Sequence, residues 1–242
     1  MQQVLALIET KKQEFAQLPL FSFMQNQSIH PKDRLCFAPL IVPLAMGFGE
    51  LCNYVFREEP TTNKVQSLLN RHTYEEHFHW QWLLEDLEKL ELHHCSKLTD
   101  AMLFSFGDAT LKSRNVCYQL HHHSFQADPI VKFAAMQVAE ATANVFFNVS
   151  QPVALELKAI TGKEYRYFGM CHLHEEEHHH INTPNIVSFF QQIELNDQQR
   201  QQALLAVEAI FTAYTEAMNS FLDFAKQQMS TQQTKILLES VN

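Results

Sequence analysis

Histidine and glutamate recur at one spacing in two segments of the chain that lie a hundred residues apart. The two sets read H-x3-E-x2-H and are His72, Glu76 and His79 in RHTYEEHFHW, and His172, Glu176 and His179 in MCHLHEEEHHH. Residues three, four and seven apart on an α-helix lie on one face. Each segment therefore points two imidazoles and a carboxylate in one direction, and such nitrogen and oxygen donors bind transition metals.

Two further glutamates stand alone in apolar helical segments, Glu50 in PLAMGFGELCNYVF and Glu140 in KFAAMQVAEATANVFF. The chain thus gives a glutamate, a Glu-x2-His pair, a second glutamate and a second Glu-x2-His pair. This order is the inward-facing ligand pattern of a dinuclear iron or manganese site in a helical bundle. The predicted ligands are Glu50, Glu76, His79, Glu140, Glu176 and His179, with His172 as a seventh. His72 either binds metal or donates a hydrogen bond to a ligand.

The cost of burying these carboxylates supports a role for cations. Residues on the helix face of Glu140 include Phe133, Met136 and Phe147, so its carboxylate is expected in apolar surroundings. A buried carboxylate is strongly disfavoured unless it is paired, protonated or bound to metal. Several such glutamates in one bundle would also repel one another. We therefore expect bound metal to raise stability.

Composition indicates a single all-α domain over residues 1–242. The chain has only 5 Gly and 8 Pro in 242 residues, and most segments have helical periodicity. A formal charge of −9 with 18 Lys and Arg disfavours nucleic acid as a partner. We also expect no signal peptide and no membrane span, because no stretch approaches the roughly 20 apolar residues that a span needs. The five cysteines are odd in number and form no C-x-x-C pair, which fits a cytoplasmic protein with reduced thiols.

Caps, prolines and glycines predict where the helices begin and end. The predicted helices cover about 2–17, 31–59, 62–91, 99–106, 108–120, 129–149, 150–162, 163–180, 185–193 and 197–228. The first His-Glu-His set then lies on the helix 62–91 and the second on the helix 163–180. The run His121 to His123 is expected to lead into a polar loop.

The segment YRYFGMCHLHEEEHH resembles the C-terminal motif of the heme-oxygenase-like diiron oxidases, in which an aromatic-rich helix carries His-x3-Asp/Glu-x2-His. LLNRHTYEEHFHWQWLLEDLEKL is similar to the upstream helix of iron-containing redox proteins in that superfamily. The resemblance covers roughly residues 30–225. It implies a heme-oxygenase-like helical bundle, with iron ligands Glu50, Glu76, His79, Glu140, His172, Glu176 and His179. The chain departs from many members in having Glu176 in place of Asp, and from some in the short spacing between Glu76 and His79.

The resemblance also implies a function, that of a non-heme diiron enzyme in which two Fe ions, or Mn, use O2 as co-substrate. The expected partner is a small organic substrate such as an amine, an amino acid or a fatty acid. One alternative is a helical protein that binds metal or another ligand without turnover. A heme-binding protein and a thiaminase-like hydrolase, with Cys52 or Cys171 as nucleophile, are the others. The oligomeric state stays open, with a homodimer as one option.

Overall fold

The computed structural model describes residues 1–92, 97–172 and 184–240, and over these ranges the chain is helical and contains no β-strand. Its helices are α1 (Gln2–Phe15), α2 (Pro19–Gln25), α3 (Pro31–Arg34), α4 (Val42–Leu51), α5 (Lys64–Glu76), α6 (Trp80–Lys89), α7 (Leu98–Phe106), α8 (Leu111–Ser124), α9 (Pro129–Thr161), α10 (Pro184–Gln191) and α11 (Asp197–Ser240). This architecture confirms the predicted all-α class. The narrower expectation of a heme-oxygenase-like bundle stays a prediction.

The long helices α9 and α11 form the centre of the bundle. α11 packs against α8, α9 and α1, while α5 packs against α9 and α4 packs against α8 and α6. Burial continues along most of α9, where Phe133, Met136, Val145 and Leu157 all lie in the core. Because α9 is enclosed on several sides, any polar residue on its inner turns is carried into the interior.

The ends of α9 follow the sequence signals, but its middle does not. Asp128 caps the start, since its carboxylate accepts a hydrogen bond from the amide of Ile130 at 2.9 Å. Gly162 ends the helix in the left-handed region, with φ of +68°. The predicted break near residue 150 is wrong, because the helix continues through Pro152. Buried contacts of Val153 and Ala154 just beyond the proline hold the second half in line with the first.

Three other predicted helices are divided or shortened. The segment 31–59 contains α3, a 3-10 turn at Ala38–Ile41, α4 and a π-helical turn at Cys52–Phe56. The segment 62–91 is interrupted by a turn at 77–79, which separates α5 from α6. The helix predicted from 163 begins only at 170, after a turn at 166–168. The last two interruptions lie beside the histidines of the two sets and therefore affect the site.

Within the described ranges, one stretch is long and apolar enough to cross a membrane, namely Pro31–Phe56. This finding corrects the expectation that no stretch approaches such a length. Half of the most apolar 18-residue segment of this stretch is buried inside the fold, and the helix α4 packs against α6 and α8. The core helix of a soluble protein meets the same criterion of length and composition.

Candidate metal centre

Three predicted ligands converge inside the bundle where α5 packs against α9. His72 and Glu76 lie one turn apart on α5, and Glu140 lies on the facing turns of α9. One ligand atom from each, an imidazole nitrogen or a carboxylate oxygen, lies within 4.8 Å of those of the other two. All three side chains are buried. This donor set fits a divalent transition metal, which accepts imidazole and carboxylate together.

His79 joins the group through the turn at 77–79. Its Nδ1 lies 3.2 Å from Oε2 of Glu76, and its side chain is buried. The ring stacks on Trp82 with centroids 4.5 Å apart and planes 22° apart. The sequence places His72 and His79 on one face of a continuous helix, and the turn at 77–79 shows that the helix is not continuous. The turn nevertheless directs His79 toward Glu76.

His172, from the second set, lies against the first set. Its ring centroid is 4.6 Å from that of His79, and the residue is 3% exposed. Nδ1 of His172 lies 3.1 Å from the carbonyl oxygen of Tyr167. Since a carbonyl only accepts, Nδ1 carries the hydrogen, and the lone pair of the neutral ring is on Nε2. This arrangement of a backbone carbonyl behind one nitrogen is typical of metal-binding histidines.

Asp86 fixes the chain that leads to His172. Its carboxylate is fully buried and accepts hydrogen bonds from three successive amides, those of Arg166 (3.0 Å), Tyr167 (2.8 Å) and Phe168 (3.2 Å). Burial raises the pKa of Asp86, against the opposing effect of these hydrogen bonds and of Lys89. Sequence reasoning missed this residue, because its partners lie about 80 positions away and no local pattern links them.

His72 and Glu140 form a hydrogen-bonded pair, with Nε2 of the imidazole 2.9 Å from Oε1 of the carboxylate. Burial lowers the pKa of His72, but the charge on Glu140 and the hydrogen bonds to Glu140 and Glu75 outweigh it and raise that pKa to about 9. The raised pKa favours the imidazolium form of His72, whose charge partly offsets that of the carboxylates. In this structure His72 donates a hydrogen bond to Glu140. This contact corresponds to the second role expected for His72, that of a hydrogen-bond donor to a predicted ligand.

Glu50 is the predicted ligand that the structure does not bring to the centre. Its side chain is exposed at the end of α4. The preceding residue, Gly49, faces the turn at 77–79 instead, where an added Cβ would lie 2.7 Å from the carbonyl oxygen of His77. Glu50 looked internal because its neighbours in sequence are apolar. The close approach of α4 through Gly49 turns the next residue outward.

The remaining predicted ligands, Glu176 and His179, lie outside the described residues. Their ligand role therefore stays a prediction. Five predicted donors, His72, Glu76, His79, Glu140 and His172, are brought together by α5, the turn at 77–79, α9 and the segment before residue 173.

Because Glu50 is exposed, we expect Glu50→Gln to leave metal affinity within about twofold of the original value, as surface substitutions change free energies by about 0.5 kcal/mol or less. The measurement is titration of the metal-free protein with Co²⁺, followed by the visible absorption of bound cobalt. Glu140→Gln is the matched variant, and it should lose most of the binding. Equal loss in both variants would contradict the placement of Glu50.

A cavity of about 100 Å³ opens beside these donors. Glu76, His79, Glu140 and His172 lie in its wall at one end. Most of the rest of the wall is apolar and comes from α1, the 3-10 turn at Ala38–Ile41, α4, α9 and α11: Phe15, Ile41, Leu44, Phe48, Phe146, Phe147, Met218 and Phe221. Among the described residues that line it, none is lysine or arginine. Small-molecule sites commonly combine such an apolar wall with a few polar groups.

Comparison with known proteins adds no family assignment. The chain matches no protein-family model, and no curated protein matches it significantly. The resemblance in the two histidine-glutamate segments therefore stays an expectation, and the geometry of the buried donors carries the functional argument.

Proposed function

We propose that this protein is a non-heme diiron enzyme that uses dioxygen to oxidise a small organic substrate. The observation that carries the proposal is the buried group of carboxylates and imidazoles at one end of an apolar cavity. Glu76, His79, Glu140 and His172 would hold the metal, together with Glu176 and His179. Iron bound there would supply the site where dioxygen binds and the electrons that reduce it.

The chain itself would orient the donors and exclude water. Trp82 stacks on His79, and Phe147 lies against His172 with ring centroids 3.8 Å apart. These contacts restrict both imidazole rings to one orientation. Glu140 is held by His72, and a divalent cation would replace the charge that the proton on His72 now supplies. The surrounding apolar wall strengthens the attraction between the carboxylates and a cation by lowering the local dielectric constant.

The cavity favours an enzyme over an iron store, because storage requires no apolar space beside the donors. A cysteine hydrolase receives no support among the described residues, where no cysteine lines the cavity. Burial and the charge of Glu76 raise the pKa of Cys52 well above its usual value, so that thiol is neutral and a poor nucleophile. The carboxylates at the cavity end also have no role around a porphyrin iron.

The test of the function is dioxygen uptake after anaerobic loading with Fe²⁺. We expect rapid uptake beyond that of Fe²⁺ in buffer, which Glu76→Ala abolishes, measured with an oxygen electrode or by stopped-flow absorption. Sizing of the native particle accompanies the test, since iron stores form large cages. Uptake no faster than in buffer, or a cage, would count against an oxidase.

Bound metal should stabilise the fold. A ligand at a hundred times its Kd stabilises a protein by about 2.7 kcal/mol, which corresponds to a rise in Tm of roughly 5–10 °C for a chain of this size. We expect this rise with Mn²⁺ or anaerobic Fe²⁺ relative to protein in EDTA, measured by differential scanning fluorimetry. Glu76→Gln with Glu140→Gln serves as the control and should show no rise. A wild-type Tm indifferent to both metal and EDTA would contradict the site.

A further inference from the structure

The wall of the cavity contains polar groups beyond the metal donors, and these are neutral. Tyr214 is buried in α11 and lines the cavity, as does Thr142. The hydroxyl of Thr142 donates to the backbone carbonyls of Val138 and Ala139, at 3.0 and 2.9 Å. Burial raises the pKa of Tyr214, so its phenol stays protonated. The wall therefore offers neutral hydrogen-bonding groups but no described cation to receive an anionic group.

We infer that the substrate has an uncharged alkyl or aryl body, which lies between Leu44, Phe146, Met218 and Phe221, and a polar head that faces the histidine and glutamate donors. The inference rests on the proposed function, because it takes the donor cluster as the reactive end. A charge on the body would be buried without a partner, which is costly. Neutral polar atoms along the body would meet few polar side chains of the wall, those of Trp80, Thr142, Tyr167 and Tyr214.

The test uses Co²⁺-loaded protein and four probes that share a six-carbon chain: hexanoate, hexylamine, hexan-1-ol and the doubly charged hexanedioate. Binding is measured by calorimetry. We expect at least one of the three probes with a polar group at one end only to bind. Hexanedioate should bind at least about tenfold more weakly than hexanoate, because its second carboxylate would be buried in the apolar wall. Equal binding of the dianion and the matched monoanion, or no binding by any probe, would overturn the inference.

Two substitutions locate the probe in the cavity. Ala143→Phe fills the space beside Phe146 and should weaken binding at least tenfold, whereas Met218→Ala enlarges it and should favour longer chains. Met46→Ala, at an exposed methionine outside the cavity, is the matched control. The cobalt spectrum should be unchanged in all three variants. Failure of the wild-type protein to bind cobalt would contradict the proposed function. Probe binding that Ala143→Phe does not change would overturn only the inference about the substrate.

An independent feature lies on α7, whose outward face is apolar. Four large side chains share this face, with exposed fractions of 76% for Leu98, 47% for Met102, 73% for Leu103 and 71% for Phe106. Phe104 points the other way and packs against the core. Arg114 fixes the end of the helix through the carbonyls of Ser105 (2.8 Å) and Gly107 (3.0 Å). A helix held in place with an apolar outer face is typical of an interaction surface.

The charges at the two ends of α7 match a second copy of the same chain. Lys97 precedes the helix and Asp108 follows it, and neither forms an ion pair within the described part of the chain. Two α7 helices in antiparallel contact would place Lys97 of each copy beside Asp108 of the other, as two-fold symmetry requires. The net charge of −9 opposes binding to an anionic lipid surface. We propose that α7 forms a symmetric homodimer contact.

Sedimentation velocity of the full chain over a range of concentrations tests this contact. We expect a dimer that Leu103→Glu weakens about 100-fold, as at a central interface residue, while the exposed control Ile160→Glu has no effect. Lys97→Asp should weaken the dimer, and adding Asp108→Lys should restore it. A monomer at every concentration, a dimer indifferent to Leu103→Glu, or liposome binding that requires Leu103 in a monomeric protein would overturn the proposal.

Discussion

Replacing Glu76 by glutamine should abolish metal binding and yet stabilise the metal-free protein. Loss of a residue that only supports a ligand costs about 10–100-fold in metal affinity, so loss of Glu76 itself should cost at least about 100-fold. Its carboxylate is 6% exposed and shares its surroundings with Glu140 and His79. Without a metal ion, two buried carboxylates repel each other, and the imidazolium of His72 offsets only part of their charge. The neutral amide removes that repulsion, with a gain in unfolding free energy on the order of 1 kcal/mol.

Two measurements check these opposite effects. Metal affinity comes from cobalt titration, and the free energy of unfolding comes from urea denaturation in EDTA. Glu88→Gln is the matched control, because Glu88 is exposed on α6, and it should change neither quantity appreciably. A Glu76→Gln protein that still binds cobalt tightly, or that is less stable than the original in EDTA, would contradict the assignment of Glu76 as a ligand in a repulsive site.

Asp86→Asn should weaken metal binding from a distance. The asparagine keeps one acceptor oxygen but turns an NH2 group toward amides that also donate, so some of the bonds from Arg166, Tyr167 and Phe168 are lost. Hydrogen bonds to a charged group contribute about 1.5–3 kcal/mol each, so a loss of about 2–4 kcal/mol in stability is expected. The carbonyl of Tyr167 holds Nδ1 of His172. A shift of that carbonyl should therefore lower metal affinity about 10–100-fold.

A second variant, which lowers the stability without touching the site, shows whether Asp86→Asn acts by positioning His172 or by general loss of structure. Leu20→Ala removes a fully buried leucine of α2, which should cost a comparable 2–5 kcal/mol or so. It should leave the cobalt affinity and spectrum unchanged, whereas Asp86→Asn should alter both at a temperature where both proteins are folded. Unchanged cobalt binding in Asp86→Asn would show that His172 needs no such support.

The sequence predicts the ends of α9 better than it predicts the interruptions within the helices. The caps at Asp128 and Gly162 are local, and both ends of α9 follow from them. The break expected near residue 150 fails because buried contacts on both sides of Pro152 outweigh the local cost of the proline. Similarly, the turn at 77–79 interrupts a segment with good helical periodicity. His79 still reaches Glu76 despite that error in the helix, and its role as a ligand stays a prediction.

The residues that were misplaced or missed depend on packing between distant segments. Glu50 lies in an apolar segment, yet the close contact of Gly49 with His77 decides which side of α4 faces inward. Asp86 carries no motif, and its role appears only once the segment 166–168 lies beside α6. By contrast, the H-x3-E-x2-H pattern that singles out His72, Glu76 and His172 is local in sequence. It is therefore visible without knowledge of the tertiary contacts.

The most direct measurement is a crystal structure of the protein loaded anaerobically with Fe²⁺, with anomalous scattering recorded on both sides of the iron absorption edge. We expect strong iron peaks within the bundle, bonded to carboxylate oxygens of Glu76 and Glu140 and to imidazole nitrogens of His79 and His172. Iron found only at the protein surface, for example at His121 to His123, or no iron peak at the buried donors, would contradict the account.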